Sequence, residues 1–523
     1  MTEERNARGR FGGLGAIFFL ATLGAIAFYV QEQSIPEDRD ELRKPATLLP
    51  NLDEKALPPL AWRDRLDLGA IALTPILEAG ANAAAPTDAP APGTPGGEDS
   101  DSASLSVDPA KARYVQNLAD GHRLLYTIDP VLQQAAQTIF RNREVPYAAA
   151  VILDLRDNSV LAFAGHSSMD AQVDPLEILT TAWAPAASTF KLVTAASLLE
   201  NGAASPDTKV CYHGGLQGIT DDLLKDNPAL DTRCDSLSNA VAFSYNVVLA
   251  KLALNHLDQR MLHETAASLQ FQADIPFEFP IEPSPAHIPG DGNSRAKVAA
   301  GFWHVDLSPI HAAVLASIYA RGGIYQPPHI IAQVVGPDGD DLTPPLPDQS
   351  RALAENVADQ VGQMMVGTTR FGTARGSFRD DQGVEFIPGV TIAGKTGSLT
   401  GKRDPVLNYN WFIGYAPADR PEIAFAVVLA NPSKWRIKAH YAARRLIQIY
   451  FERREAINEA RAARLELDTL MLPTRDPETG ALIAQVNKPA AVDEQAPAPN
   501  EEPDPAIELP PVPGPLPSLP GFD

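Results

Sequence analysis

Tyr147-Ala148-Ala149-Ala150-Val151-Ile152-Leu153-Asp154-Leu155, a polar break at Asp157-Asn158, then Val160-Leu161-Ala162-Phe163-Ala164: this stretch reads as two strands joined by a tight turn. Short apolar runs of strand length that flank turn residues are the signature of a β-hairpin. Just before it, Val131, Leu132, Ala135, Ala136 and Ile139 recur at helical spacing over Pro130 to Arg141. Far downstream, Val390 to Ala393, Trp411 to Tyr415 and Ile423 to Leu429 are three more strand candidates, and a helix from about Lys438 to Arg464 follows. Strands at both ends of the region with helices between them predict an α+β fold, an antiparallel sheet flanked by helices.

Between those strands stand three short motifs: Ser188-Thr189-Phe190-Lys191, Ser244-Tyr245-Asn246 and Lys395-Thr396-Gly397. Pro185 precedes an apolar-periodic stretch, Phe190, Leu192, Val193, Ala196, Leu198 and Leu199, that closes at Asn201-Gly202, so Ser188 is expected in the first turn of a helix. Free backbone N–H groups and the positive end of the helix dipole favour an alkoxide or oxyanion there. The three-residue spacing sets Lys191 on the same face, within reach of a proton on Ser188. Ser244-Tyr245-Asn246 is expected inside a helix and Lys395-Thr396-Gly397 at the end of an apolar strand.

A serine needs a base, and a lysine serves only if desolvation or a neighbouring cation lowers its ammonium pKa. Lys395 can be that cation, Ser244 a proton relay to a leaving nitrogen, and Asn246 a ligand for the substrate backbone. Lys395, Thr396 and Ser398 suit a substrate carboxylate, and Gly397 lets a substrate approach the strand edge. Each motif alone also has a bland reading, as a capped helix with a solvated lysine, a polar helix surface and a strand-end turn. Their joint order favours a serine acyl-transfer site.

With these residues the chain resembles the transpeptidase domain of penicillin-binding proteins, a monofunctional class B-like type, for which this motif set is known. The likeness extends from Thr127-Ile128-Asp129-Pro130 and Leu132-Gln133 through Ala148 to Asp154 and Val160-Leu161-Ala162. It continues in Ser308-Pro309-Ile310, Ala320-Arg321-Gly322-Gly323, Ala393 to Ser398 and Trp411 to Pro417, so that residues 111–457 are covered. Departures are Ala186-Ala187 where Pro-Gly is usual, Gly301-Phe302-Trp303 in place of Gly-Gln-Gly, and Ser398 for threonine. None removes a group the acylation needs.

The resemblance implies that Ser188 attacks the penultimate D-alanyl carbonyl of a peptidoglycan stem peptide, that an amine acceptor resolves the ester, and that β-lactams trap Ser188. It also implies an oxyanion hole from the backbone N–H groups of Ser188 and Ser398, a device that lowers the barrier by several kcal/mol. A D,D-carboxypeptidase uses the same residues with water as acceptor. A β-lactamase is a further reading, although β-lactamases with this nucleophile motif usually carry a hydrophobic residue where Asn246 stands. The non-enzymatic reading is a cell-wall scaffold or β-lactam sensor that keeps the fold without turnover.

The chain has 523 residues, 45% of them hydrophobic, and a formal net charge of −22. Phe11 to Val30 is an apolar run long enough for a transmembrane anchor. Arg5, Arg8 and Arg10 precede it and Glu32, Glu37 and Asp38 follow, which orients residues 1–10 to the cytoplasm and the rest outside. The expectation is a single-pass protein of the bacterial cytoplasmic membrane. A signal peptide cut after Ala25-Ile26-Ala27 is the rival.

Residues 31–82, with apolar clusters at Leu48-Leu49, Leu57 to Trp62 and Ile71 to Leu77, form a short membrane-proximal segment expected to pack on the catalytic domain. That segment is too short for a glycosyltransferase domain. Residues 83–110 read as a disordered linker, 458–472 as a helical extension and 473–523 as a disordered tail rich in proline and acid. Linker and tail carry much of the negative charge, so a nucleic-acid partner is not expected, whereas other cell-wall synthesis proteins are candidate partners. In an oxidising compartment Cys211 and Cys234 can pair, with two reduced thiols as the other reading. His166, His304 and His311 lack metal-ligand spacing, and no cofactor is expected.

Overall fold

The computed structural model describes residues 113–470 apart from 216–217, 303, 402–404 and 433–435, together with 73–74, 474–475 and 482–483. In chain order the elements that build and frame the site are α1 (Pro130–Asn142), β1 (Tyr147–Asp154), β2 (Ser159–Ser167), α2 (Lys191–Glu200), β3 (Lys209–Tyr212) and β4 (Arg233–Ser236). They continue with α3 (Leu237–Ala242), α4 (Asn246–His256), α5 (Pro309–Ala320), α6 (Glu355–Arg370), β5 (Ala393–Thr400), β6 (Asn408–Ala416), β7 (Ile423–Asn431) and α7 (Ala439–Leu470).

Five of these strands form one sheet in the order β5-β6-β7-β1-β2, every neighbouring pair antiparallel. The expected hairpin is β1–β2, and it turns at Asn158 in the left-handed region (φ 59°), a conformation asparagine tolerates better than most residues. The Asn158 amide donates to Gln326 O (2.6 Å) and Ser317 Oγ (3.1 Å), which fixes the turn. All nine residues of β7 are buried, as a central strand covered by helices on both faces requires.

On one face lie α1 and α7. Asp129 caps α1 by accepting from Val131 N (3.0 Å) and Leu132 N (2.9 Å), and Leu132, Ala136 and Phe140 bury one stripe of it against the sheet. The same carboxylate pairs with Arg453 of α7 (2.9 Å). Over the other face runs α5, buried from Pro309 to Tyr319, in contact with β7, β6 and β1. α6 packs against β5 and thereby backs the strand that carries Lys395.

One boundary differs from the sequence expectation. The strand foreseen at Val390 to Ala393 begins only at Ala393 and continues to Thr400, because the ladder with β6 opens at Ala393 and Tyr415. Its two glycines and its polar residues hide it from propensity, and cross-strand pairing supplies what propensity lacks. α7 is the helix expected from about Lys438 to Arg464, and it runs without a break through residue 457 to Leu470. Arg461 there pairs with Asp154 (3.2 Å) and with Asp157.

The apolar run Phe11 to Val30, the linker and nearly all of the acidic tail lie outside the described residues. Among the described residues no helix is long and apolar enough to cross a membrane.

Phe412 of β6 is fully buried, between Phe378 (5.4 Å between ring centroids) and Phe425 (5.6 Å). Phe412→Ala leaves a ring-sized cavity in the sheet centre and is expected to destabilise the domain by about 3–5 kcal/mol, read as a lowered denaturation midpoint in urea.

Candidate active site

Ser188 lies in a 3-10 turn, Ala187–Phe190, immediately before α2, one turn earlier than the helical periodicity suggests. The turn is set by its flanks. Ala187 adopts a positive φ (50°), Ala186 N donates to Val305 O (2.9 Å), and the Trp411 indole of β6 donates to Pro185 O (2.9 Å). Thr189 Oγ1 closes the loop on Ala186 O (2.6 Å). Gly301, itself at φ 89°, passes so close that a Cβ there would lie 2.4 Å from Ala187 O and 2.9 Å from Ser188 Cα. The Ser188 side chain remains partly exposed while its neighbours are buried.

Lys191 opens α2 and is wholly buried. Its ammonium donates to Ser244 O (2.8 Å), Ser244 Oγ (2.9 Å) and Asn246 Oδ1. Lys395, equally buried in β5, donates to the same Ser244 Oγ (3.0 Å) and to Thr396 O (3.0 Å). Among the described residues no carboxylate pairs with either ammonium. Burial, and then the charge of Lys395, hold the Lys191 pKa well below its usual range, and burial lowers that of Lys395 to about 7.

Ser244 is not inside a helix, as expected from its surroundings, but in the connection between α3 and α4, with φ 59°. A non-glycine residue there carries about 1–2 kcal/mol of strain, and such strain persists only where the surroundings over-determine it. The turn aims the hydroxyl at both lysines. Asn246 is the first residue of α4.

The third motif runs through β5, the edge strand of the sheet, rather than at a strand end. Gly397 lies against the nucleophile turn, since a Cβ on it would meet Thr189 Cγ2 at 3.1 Å. Thr396 Oγ1 shares a hydrogen bond with Thr373 Oγ1 (2.6 Å), and Ser398 Oγ accepts from Asn410 Nδ2 (2.9 Å). Asn410 also accepts from Ala439 N (2.6 Å), tying β5 and β6 to the start of α7. Sequence reasoning missed Thr373 and Asn410, which lie in no motif and reach the site only through tertiary contacts. Gly301 is noted in the sequence only as the first residue of Gly301-Phe302-Trp303, the stretch that stands in place of Gly-Gln-Gly.

The structure thus gathers Ser188, Lys191, Ser244, Asn246, Lys395, Thr396, Gly397 and Ser398 into one cluster. Cys211 and Cys234 form a disulfide, across from one another on β3 and β4. His311 is buried in α5 with Nε2 on Leu269 O (2.8 Å), its pKa lowered to about 4 by burial. Among the described residues no group of His, Cys, Asp or Glu side chains is arranged to hold a metal ion.

Comparison with known proteins gives the family. The model of the penicillin-binding protein transpeptidase domain matches residues 148–448. The peptidoglycan D,D-transpeptidase PbpA of Mycobacterium tuberculosis is 28% identical over 261 residues, which are 47% of this chain and 50% of the relative. PbpA of Mycolicibacterium smegmatis is 27% identical over 339 residues, 58% of this chain and 66% of the relative. The chain therefore spans between half and two thirds of the length of these relatives. Penicillin-binding protein A from M. tuberculosis, solved as an imipenem acyl-enzyme, superposes with a TM-score of 0.52 at 25% identity, covering 62% of this chain and 78% of that one. A D,D-transpeptidase domain from Eggerthella lenta shares the fold with the same TM-score at 22% identity, over 63% of this chain and 82% of its own. With the family model matched over more than half of its length, and with the three motifs gathered in one cluster, this chain belongs to the penicillin-binding protein transpeptidase domain family.

Proposed function

We propose that this protein is a membrane-anchored peptidoglycan D,D-transpeptidase that works through an acyl-enzyme on Ser188 and is trapped there by β-lactams. The observation that carries the reading is Ser244 Oγ, which accepts a hydrogen bond from each of two buried lysines next to the Ser188 turn. A lysine without a carboxylate partner, desolvated and beside a second cation, is the arrangement that yields a neutral amine able to take a proton from serine.

In the proposed cycle the Ser188 hydroxyl adds to the penultimate D-alanyl carbonyl as its proton passes to neutral Lys191. The N–H groups of Ser188 and Ser398 receive the oxyanion. Ser244 then hands a proton to the departing D-alanine nitrogen and recovers one from Lys191, leaving an ester on Ser188. An acceptor amine enters by the reverse route, and release of the cross-linked peptide restores Ser188. In a β-lactam the leaving nitrogen stays tethered to the acyl group, so the ester persists. Lys395 and the hydroxyls of Thr396 and Ser398 suit the substrate carboxylate. The open edge of β5 suits an extended peptide laid alongside as a further strand.

Phe11 to Val30 is proposed as the anchor, with the catalytic domain on the extracytoplasmic side, and the exposed disulfide is in keeping with an oxidising compartment. Other proteins of cell-wall synthesis are its proposed associates.

A fluorescent penicillin should form a long-lived adduct whose mass maps to Ser188, and Ser188→Ala should carry none. Rapid loss of label would instead identify a β-lactamase. Turnover of a D-Ala-D-Ala peptide with and without an acceptor amine separates cross-linking from carboxypeptidase action.

The pH profile of acylation follows from the two lysines. The rate should rise with pH as Lys191 loses its proton, and fall through about 7 as Lys395 loses the charge that holds the carboxylate. In Lys395→Met the falling limb should vanish. The rising limb should also move to higher pH, because removing the neighbouring cation lets the Lys191 pKa climb back.

Gly301→Ala pushes a methyl into the Ala187 carbonyl and displaces the Ser188 turn. Acylation should slow by about a hundredfold, measured as the second-order labelling rate, whereas the same change at Gly376, where a Cβ meets nothing within 4 Å, should leave it near wild type.

A further inference from the structure

The segment between the first two motifs contains a hairpin that the acyl-transfer chemistry does not use. β3 and β4 pair antiparallel with Cys211 opposite Cys234, and both cysteines are exposed at the surface. Three connections tie this hairpin to the strained Ser244 turn. β4 runs directly into α3, whose cap is Ser236, accepting from Asn239 N (3.1 Å). Tyr212, adjacent to Cys211, is buried, donates its hydroxyl to Asp235 (2.8 Å) and sets its ring 6.1 Å from that of Tyr245. Tyr245 stacks in turn on Phe243 (5.4 Å, 12° between planes), so the residues on either side of Ser244 form one aromatic unit with the hairpin. Gly215 O accepts from Val247 N (3.2 Å) at the N-terminus of α4, and a Cβ on Gly215 would lie 2.6 Å from Val247 Cβ.

Lys251 closes the arrangement. It lies on α4, the helix that Asn246 begins, and its side chain is wholly buried. Its three donors go to Cys211 O (3.1 Å), Asp226 (3.1 Å) and Asp231 (2.9 Å), all on the hairpin or its loop. Asp231 is held in turn by Asn227 N (2.9 Å) and by the His213 ring. A buried cation that spends every donor on one neighbouring segment fixes the register of that segment on its helix.

We infer that Lys251 is a positioning residue for acylation, and that the Cys211–Cys234 hairpin it clamps onto α4 holds Ser244 in its left-handed turn between Lys191 and Lys395. Ser244 stands without glycine at the left-handed position after α3, closed by Ser244 N on Val241 O (3.3 Å) and Tyr245 N on Ala240 O (2.9 Å), and the hairpin adds support on both sides by running into α3 and packing on Tyr245 and Val247. Loosening the clamp lets Ser244 return towards an ordinary backbone conformation. Its hydroxyl then leaves the two ammonium groups. This proposal rests on the acyl-transfer reading above.

The test uses the full chain in detergent and follows fluorescent-penicillin labelling of Ser188 against pH, before and after reduction by a phosphine, with thermal melting recorded on the same samples. A reduced protein that remains folded should label about tenfold to a hundredfold more slowly, with its rising limb displaced, and reoxidation should restore both. Unchanged rate and limb in folded, reduced protein would overturn the proposal. If reduction melts the protein below the assay temperature, Lys251→Met with the disulfide intact decides: slower labelling with a displaced limb supports positioning, and a wild-type rate and limb refute it. Slower labelling with an unmoved limb would assign Lys251 to stability alone and refute positioning as well. Absence of label on oxidised wild type would overturn the acyl-transfer reading, and this inference with it.

Discussion

Two buried ammonium groups converge on one hydroxyl, and the rest of the site is arranged around the consequence. Lys191 and Lys395 each donate to Ser244 Oγ at about hydrogen-bond length, so the two nitrogens lie within roughly 6 Å of one another. Two full charges at that distance repel by about 3 kcal/mol at an effective dielectric of about 20, before the desolvation of either is counted. With no carboxylate to compensate among the described residues, one of the pair must give up its proton. Lys191, held well below its usual range by burial and by the charge of Lys395 and placed one helical turn from Ser188, is the one assigned that role. A base is thereby created beside Ser188 without any acid to orient it.

Holding that arrangement takes strain at two points. Ala187 and Ser244 both occupy the left-handed region without being glycine, and they stand next to the nucleophile and at the relay. Each is fixed from several sides. Ala187 is pinned through its neighbours, Ala186 N on the Val305 carbonyl and Pro185 O on the Trp411 indole, and by the close passage of Gly301, all of them long-range contacts. The Ser244 turn is bracketed by α3 and α4 and by the disulfide hairpin, whose 23-residue closure limits the unfolded chain by about 3 kcal/mol in the loop-entropy account. Strain at the reacting groups is thus offset by order in segments that do no chemistry.

How much of this is legible in the sequence depends on how local each feature is. The β1–β2 hairpin and α1 are readable because their signals, a turn at Asp157-Asn158 and the helical spacing of Val131, Leu132, Ala135, Ala136 and Ile139, lie within the elements themselves. The three motifs are readable as residue types in order. Their conformations are not: nothing in Ser244-Tyr245-Asn246 announces a left-handed serine, which arises because α3 ends there and closes on Ala240 O and Val241 O. β5 is expected too early because Val390 and Ile392 look like a strand, yet they pack on the core while the ladder is formed by Gly394, Lys395 and Gly397. Thr373 and Asn410 stay invisible for a similar reason, since a lone threonine or asparagine signals nothing until the fold brings it to β5.

The same non-locality bears on how the site responds to change. Ser188 and Lys191 come from the start of α2, Ser244 from a turn between helices, and Lys395 from a strand at the sheet edge, so no single element contains two of the three motifs. What joins them is the sheet, because β6 both pairs with β5 and sends the Trp411 indole to the nucleophile turn. A substitution that shifts β6 therefore moves Lys395 and Ser188 together and can preserve their relation. One that loosens α3, α4 or the hairpin moves Ser244 alone. Because Ser244 is the atom-level link between the two lysines, the helical side of the site is where small displacements should separate activity from stability.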